Sequence, residues 1–387
     1  MPITVSDIIN AESLKNLKLI AGHGGLNGIV KKVGILDYEF INKTEDQFGE
    51  GDFVISSFLF AKDDESLFIE AVKGLINDGV TCLAIKDVYY KDLPLETIEY
   101  ANKRSFPIFL FDNSIFYEDL ITDITDMIRI DDRYQLMETK IDNILQKNIN
   151  KAAIREIASE INKYFRENFV VIYCKEKEIK KDDNIFRLLK KYNDTIDKKY
   201  ESVFKYKNGI LAVISKNKIE KTNIDSMVYC LISDLGINTN DFYVGISKCH
   251  ENLNEMGVGV NECLYAVNAG ESLLQNLTFY NNIGLYKIIL PFIDEYWIKD
   301  FCESLLLPLQ RYDEKYSADF LKTALSYIDS NGNIKDTADS LFQHENTIRY
   351  RINKIKEILN MEKNDGFYEQ LSTAVKIHKI LNKKLEN

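Results

Sequence analysis

Residues 331–359 read NGNIKDTADSLFQHENTIRYRINKIKEIL, and their spacing divides the stretch into two helices joined by a tight turn. Asn331-Gly332 predicts the end of a preceding helix that carries Phe320, Leu321, Ala324, Leu325, Tyr327 and Ile328, because glycine accepts the left-handed conformation of a C-cap. Asn333 predicts an N-cap, with Asp336 placed in the positive first turn that follows. A short helix then runs from Ile334 to about Leu341, and the turn covers Phe342–Glu345. A longer helix follows over Asn346–Leu359, with Ile348, Ile352, Ile355 and Leu359 along one face. Ala338 falls where the two helices would cross, and its small side chain permits close approach.

The free face of the longer helix is basic. Between Asn346 and Lys356 the chain carries Arg349, Arg351, Lys354 and Lys356 and no acid. A short helix, a tight turn and a second helix with exposed cations match a helix-turn-helix, whose second helix enters the major groove. Thr347, Arg349, Tyr350, Asn353 and Lys354 fall largely off the isoleucine face, and residues near the helix start would meet base edges. Lys354 and Lys356, further along, suit phosphate. The candidate DNA-binding set is His344, Asn346, Thr347, Arg349, Tyr350, Arg351, Asn353, Lys354 and Lys356. His344, at the turn, either donates to a phosphate or caps the turn locally. The same pattern fits an ordinary helical bundle with a solvated basic face, and spacing alone does not choose between the two.

Upstream, the pattern changes. Phe53–Ser57, Cys82–Lys86 and Pro107–Phe111 read as buried strands. Helical spacing over Asp63–Asp78 and Leu95–Lys103 separates them, which predicts a parallel sheet with right-handed crossovers. Leu17–Ala21 and Ile29–Leu36 add strands around a glycine-rich turn. Residues 121–165 carry isoleucines at helical spacing, predicting one or two long amphipathic helices that either pack on their own domain or form a dimerising connector. Residues 166–292 return to α/β, with strands at Phe169–Cys174, Gly209–Ser215 and Phe242–Ile246 and helices at Asn223–Leu235 and Asn254–Gln275, the latter broken near Gly257–Gly259. That order suits a small ferredoxin-like or cyclase-like sheet. Residues 293–387 read as all-α, with the helix-turn-helix at about 334–360.

Composition sets limits on function. The 387 residues suggest two or three domains, and 45% hydrophobic content is enough for real cores. The net charge of −11 argues against a protein that coats nucleic acid non-specifically. Local charge still decides what one helix can read, because phosphate contacts act within about a Debye length, ~8–10 Å. The amino terminus has no signal-peptide pattern, and no apolar run is long enough to span a membrane, so the expected location is cytoplasmic. The six cysteines are scattered as isolated thiols and the four histidines show no ligand spacing, so no metal, disulfide framework or cofactor is expected. No nucleophile elbow, P-loop or dinucleotide fingerprint occurs, and no catalytic residue is expected.

The run TADSLFQHENTIRYRINKIKEIL, through Ala338, Leu341, His344, Asn346, Thr347, Tyr350, Arg351, Ile352 and Ile355, resembles the C-terminal helix-turn-helix of the PucR/CdaR-type transcription regulators. Pro308-Leu309, Tyr312-Asp313, Leu325, Tyr327 and Asn331-Gly332-Asn333 fit the same pattern. Glu345 departs from it: the family usually carries a basic residue there, so a possible phosphate contact is replaced by an acid. Leu19-Ile20-Ala21-Gly22, Gly25-Leu26 and Val30 resemble the family's N-terminal ligand-sensing domain. Val244-Gly245-Ile246, Tyr280 and Ile283-Gly284-Leu285-Tyr286 resemble its GGDEF-like middle domain, here without the glycine pair and acidic metal ligands of a cyclase. The resemblance implies an α/β sensory domain over 1–120, a degenerate GGDEF-like domain over 166–292, and a homo-oligomeric regulator of a catabolic operon, purine-type or related. Its implied partners are an operator duplex and a small-molecule effector.

Two further sites follow from residue types. Gly22-His23-Gly24-Gly25-Leu26-Asn27-Gly28 is either a structural turn or a ligand loop, and the alternating run after it lacks the helix that a dinucleotide site needs. Open α/β sheets bind ligands at the carboxyl ends of their strands, which carry Ser56, Ser57, Lys86, Asp87, Asp112 and Asn113 here. That set suits a small polar metabolite. The competing functions are a signalling adaptor whose helix-turn-helix docks protein, and a metabolic enzyme with a regulatory tail.

Overall fold

A computed structural model describes residues 3–11, 14–37, 48–178, 184–195, 199–220, 223–363 and 366–386. The chain divides into two compact units. The first comprises Met1–Asn143 with Lys180–Lys190 and Phe204–Lys207, and the second the remainder.

In the first unit, α1 (Val5–Asn10) opens with a capping box in which Thr4 and Asp7 satisfy each other's backbone amides. Then come β1 (Lys18–Ala21), β2 (Lys32–Ile35), β3 (Asp52–Ser56), α2 (Glu65–Asn77), β4 (Cys82–Lys86), α3 (Leu95–Arg104), β5 (Ile108–Phe111) and α4 (Tyr117–Ile144). The sheet order is β1-β5-β4-β3-β2. β2 to β5 run parallel, and β1 closes the edge antiparallel to β5. Because both faces are covered, β3 and β5 are buried at every position, as continuous apolar runs require. Val54, Leu83, Ile85 and Ile108 face one core with Phe68, Val72 and Ala101 of α2 and α3. Phe53, Ile55, Ala84 and Phe109 face the other, with Val5 and Ile8 of α1 and Leu120 and Ile124 of α4. The expected β-α-β-α-β order is present in full.

The glycine-rich stretch is a turn wedged against the chain at 105–107. Gly22 has φ +75°, and a Cβ there would lie 1.9 Å from the Phe106 carbonyl oxygen. One on Gly25 would meet the Ser105 carbonyl oxygen at the same distance.

The rest of the chain forms α5 (Lys151–Ile161), β6 (Asn168–Glu176), α6 (Asn184–Thr195), β7 (Glu201–Tyr206), β8 (Gly209–Lys216), α7 (Ile224–Leu235), β9 (Phe242–Ile246), α8 (Met256–Leu273), β10 (Leu277–Phe279) and α9 (Tyr286–Ile289). The helices α10 (Tyr296–Tyr316), α11 (Phe320–Asp329), α12 (Ile334–Ser340), α13 (Glu345–Ile358) and α14 (Phe367–Glu386) follow. The second sheet has the order β10-β9-β6-β8-β7, with β6 antiparallel to both neighbours. Sequence spacing had not indicated α6, β7 or β10. α8 also corrects an expectation, since it is unbroken through Gly257 and Gly259. These glycines allow close approach. A Cβ on Gly257 would come within 2.9 Å of the Ile144 carbonyl oxygen, and one on Gly259 within 3.0 Å of the Phe169 ring.

One core holds the C-terminal helices together: Leu305, Leu306 and Leu309 of α10, Ala324 and Ile328 of α11, Ala338, Ile348, Ile352 and Ile355, and Leu371, Ala374 and Val375 of α14. None of the six cysteines is in a disulfide, and burial pushes the Cys174 thiol up to about 12 and that of Cys302 to about 11. Among the described residues no helix is long and apolar enough to cross a membrane, and no cluster of His, Cys, Asp and Glu could hold a metal ion.

Candidate nucleic-acid interface

The helix-turn-helix is built from its caps inward. Asn331 (φ +50°) and Gly332 (φ +78°) turn the chain out of α11, and the Gly332 amide donates back to the Tyr327 carbonyl at 2.8 Å. Asn333 Oδ1 then accepts the amides of Lys335 at 2.9 Å and Asp336 at 3.3 Å, the expected N-cap. Thr337 and Ala338 are buried where α12 meets α13. His344 caps α13, its Nδ1 accepting the Asn346 amide at 3.2 Å. Of the two tasks open to His344, the structure shows the local cap. α13 starts at Glu345, one residue before the expected start.

Ile348, Ile352 and Ile355 lock one face of α13 into the core. Asn346, Arg349, Tyr350 and Asn353 are exposed at the i, i+3, i+4, i+7 spacing of a single opposite stripe. Thr347, Lys354 and Lys356 are half-buried at its borders. Several cations already have partners. Arg349 Nη2 lies 3.4 Å from Glu345 one turn back, and Lys354 Nζ donates to Glu357 at 2.7 Å. Lys356 Nζ sits 5.1 Å over the Phe367 ring.

Arg351 departs from the rest of the predicted set. Its Nη1 donates to Thr323 Oγ1 at 3.1 Å, and Nη2 lies 3.9 Å from Asp319. Thr323 is fully buried, and its hydroxyl donates to the Asp319 carbonyl at 2.7 Å. Arg351 therefore ties α13 to α11, while its neighbours Arg349 and Tyr350 face out. Sequence spacing missed a further residue, Phe342, which stands at the turn 94% exposed.

In the first unit, the register pairs Ser56 with Ile85 and Lys86 with Phe111, so the carboxyl ends of β3, β4 and β5 share one edge. Ser56 is buried and its hydroxyl accepts the Phe58 amide at 2.9 Å, whereas Ser57 is half-buried. Lys86 Nζ lies 5.3 Å over the Tyr117 ring and 5.8 Å over that of Phe116. Asp112 Oδ1 accepts the Ser114 amide at 2.8 Å and the Ser114 hydroxyl, and these bonds hold its carboxyl below the usual range. Asp87 is half-buried and Asn113 exposed at the same edge.

Residues 7–128 match the PucR model, that of the purine catabolism regulatory protein-like family, and residues 320–377 match the PucR C-terminal helix-turn-helix domain. The chain carries PucR-type domains at both ends. The PucR-type C-terminal match begins at Phe320, the first residue of α11, so the helix that Arg351 grips belongs to the domain. The chain is similar to the proline-responsive transcriptional activator PutR of Bacillus subtilis (strain 168), 23% identical over 233 residues. That match covers 57% of this chain and 56% of the relative, so the chain spans about half the length of the curated relative it matches. A solved regulator of polyketide synthase expression from Bifidobacterium adolescentis aligns with 65% of this chain and 99% of its own, at 12% identity and a TM-score of 0.32.

Proposed function

We propose that the chain is a cytoplasmic, ligand-responsive transcription regulator that reads a duplex operator with α13 and serves a catabolic operon. The observation that carries this reading is the stripe Asn346, Arg349, Tyr350 and Asn353, exposed on a helix whose opposite face is fixed by three buried isoleucines. Asparagine and arginine are side chains that pair bidentately with adenine and guanine edges, and a helix locked from behind holds them in register. The relative's name attaches activation and a response to proline to that protein. What supports a response to a small metabolite here is the PucR-type domain at 7–128 together with the polar sheet edge of Ser57, Lys86, Asp87, Asp112 and Asn113. Two copies would present two recognition helices to a two-fold operator, and effector binding would shift the equilibrium between their geometries. On this reading the chain performs no chemistry of its own.

The test is anisotropy titration of the whole chain against its own upstream DNA, with excess random duplex, at 50 and 200 mM salt. Tight binding that survives the competitor and weakens steeply with salt supports the reading. Binding that random duplex abolishes, with or without metabolites, would make α13 a protein-docking face.

A further inference from the structure

Four residues, Leu341-Phe342-Gln343-His344, join α12 to α13. Three of them have evident tasks. Leu341 packs against the C-terminal core, the Gln343 amide donates to the Ala338 carbonyl at 2.9 Å, and His344 caps α13. The Phe342 amide helps close α12, donating to the Asp339 carbonyl at 3.3 Å, but its side chain has no task in the isolated chain. Its ring is 94% exposed, more than any other large apolar side chain among the described residues. Its φ of +54° is in the left-handed region, where a Cβ is crowded and glycine is preferred. The backbone at this position favours glycine and the solvent favours a polar group, yet the chain places a phenylalanine there. Backbone strain and apolar exposure at one residue together indicate a task outside the folded chain.

The neighbours show where that task lies. Phe342 immediately precedes the exposed Gln343 and His344, and the stripe of Asn346, Arg349 and Tyr350 begins two residues further on. A phenyl ring offers no hydrogen bond, and its negative face is repelled by phosphate. Among the features that base pairs present in the major groove, the apolar one is the thymine C5-methyl. We infer that Phe342 is a specificity-determining residue whose ring packs on a thymine methyl beside the base edges read by α13. The inference rests on the proposed DNA-binding function and adds to it a residue and a base.

The experiment first selects bound duplexes from a randomised pool with the parent protein. Each thymine of the selected duplex is then replaced by deoxyuridine, which deletes only the methyl. Affinities of the parent and of Phe342→Gly are measured on both duplexes, and both proteins are melted. Phe342→Gly should melt no lower than the parent, since glycine relieves the left-handed residue. At one thymine per half-site, uracil should weaken the parent about fourfold, the size of one buried methyl. Phe342→Gly should lose at least as much on the thymine duplex and be indifferent to uracil at that position. Equal affinity of the two proteins would overturn the inference, as would a parent insensitive to uracil at every thymine. If the parent enriches no sequence, the DNA-binding reading itself fails and this inference with it, an outcome separate from enrichment without coupling.

Discussion

Arg351 shows how much one side-chain direction changes at the residue scale. Counted along the helix it belongs with Arg349 and Tyr350, but its guanidinium points to Thr323 and Asp319. Arg351→Leu should therefore lower the unfolding free energy by about 1–3 kcal/mol, the range for removing a charged group's hydrogen bond. Arg349→Ala, on the exposed stripe, should change stability by less than about 0.5 kcal/mol and weaken specific DNA binding by roughly 1–3 kcal/mol. Urea unfolding and operator titration of both variants separate the two roles. Equal stability losses would show that the inward contact contributes nothing.

His250 makes a second prediction at this scale. The ring is buried, stacks on Phe169, and places Nδ1 2.9 Å from Glu255 and Nε2 3.0 Å from Glu262. Burial alone would lower its pKa, but the hydrogen bonds to Glu262 and Glu255 outweigh it and raise the value above 6.5. Glu262, also paired with Lys248 at 2.8 Å, is held below its usual value, its bonds to His250 and Lys248 outweighing burial. Since the folded pKa of His250 is raised, its stabilisation is complete below about pH 6.5 and is lost as pH rises through the folded value. Urea midpoints should fall across that window in the parent and fall less in Glu255→Gln. A parent midpoint that is flat there would rule out a charged, doubly paired ring.

At the element scale, α13 carries its own restraint. Glu345 sits in the positive first turn and pairs with Arg349 four residues on. Such a pair adds about 0.3–0.5 kcal/mol to a helix, and the dipole adds a similar amount. Glu345 also repels phosphate and engages Arg349 when no DNA is present. Glu345→Gln should thus cost less than about 1 kcal/mol in stability and raise affinity for random duplex. No rise would mean that Arg349 is equally available in both proteins. These elements were legible because the C-cap, the N-cap and the isoleucine repeat are local signals, each within one turn of the residues it organises. Other elements were harder to see. The buried residues Ile185, Leu188, Leu189 and Tyr192 of α6 keep helical spacing, but they stand in a charge-rich run. β7 is six residues long and buries only Phe204 and Tyr206. The glycines of α8 looked like a break because spacing does not show that Ile144 and Phe169 pack against them.

For the whole molecule, a net charge of −11 means that the proposed duplex binding would depend on one local face rather than on the overall field. Lys354 and Lys356 give two candidate phosphate contacts per copy. If two copies engage four phosphates, affinity should fall on the order of 10²-fold between 50 and 200 mM salt. Lys356→Ala should weaken specific and random binding about equally and reduce the salt slope by about 1 per phosphate contact removed. A slope near zero would show that phosphate plays no part, and that α13 meets something other than a duplex.

The amino-acid sequence by itself determined the parallel sheet of the first unit and the helix-turn-helix near the carboxyl end. Continuous apolar runs, helical periodicity and capping residues act over a few neighbours, and tertiary packing only ratifies them. It also placed Arg349, Tyr350 and Asn353 off the face anchored by Ile348, Ile352 and Ile355, together with Thr347 and Lys354, which the structure leaves half-buried at the border of the exposed stripe. Only the tertiary structure decided that Arg351 turns inward, that His250 lies between two glutamates, and that Phe342 is both strained and bare. Each of these depends on a neighbour distant in sequence or on a backbone dihedral, and residue spacing carries neither.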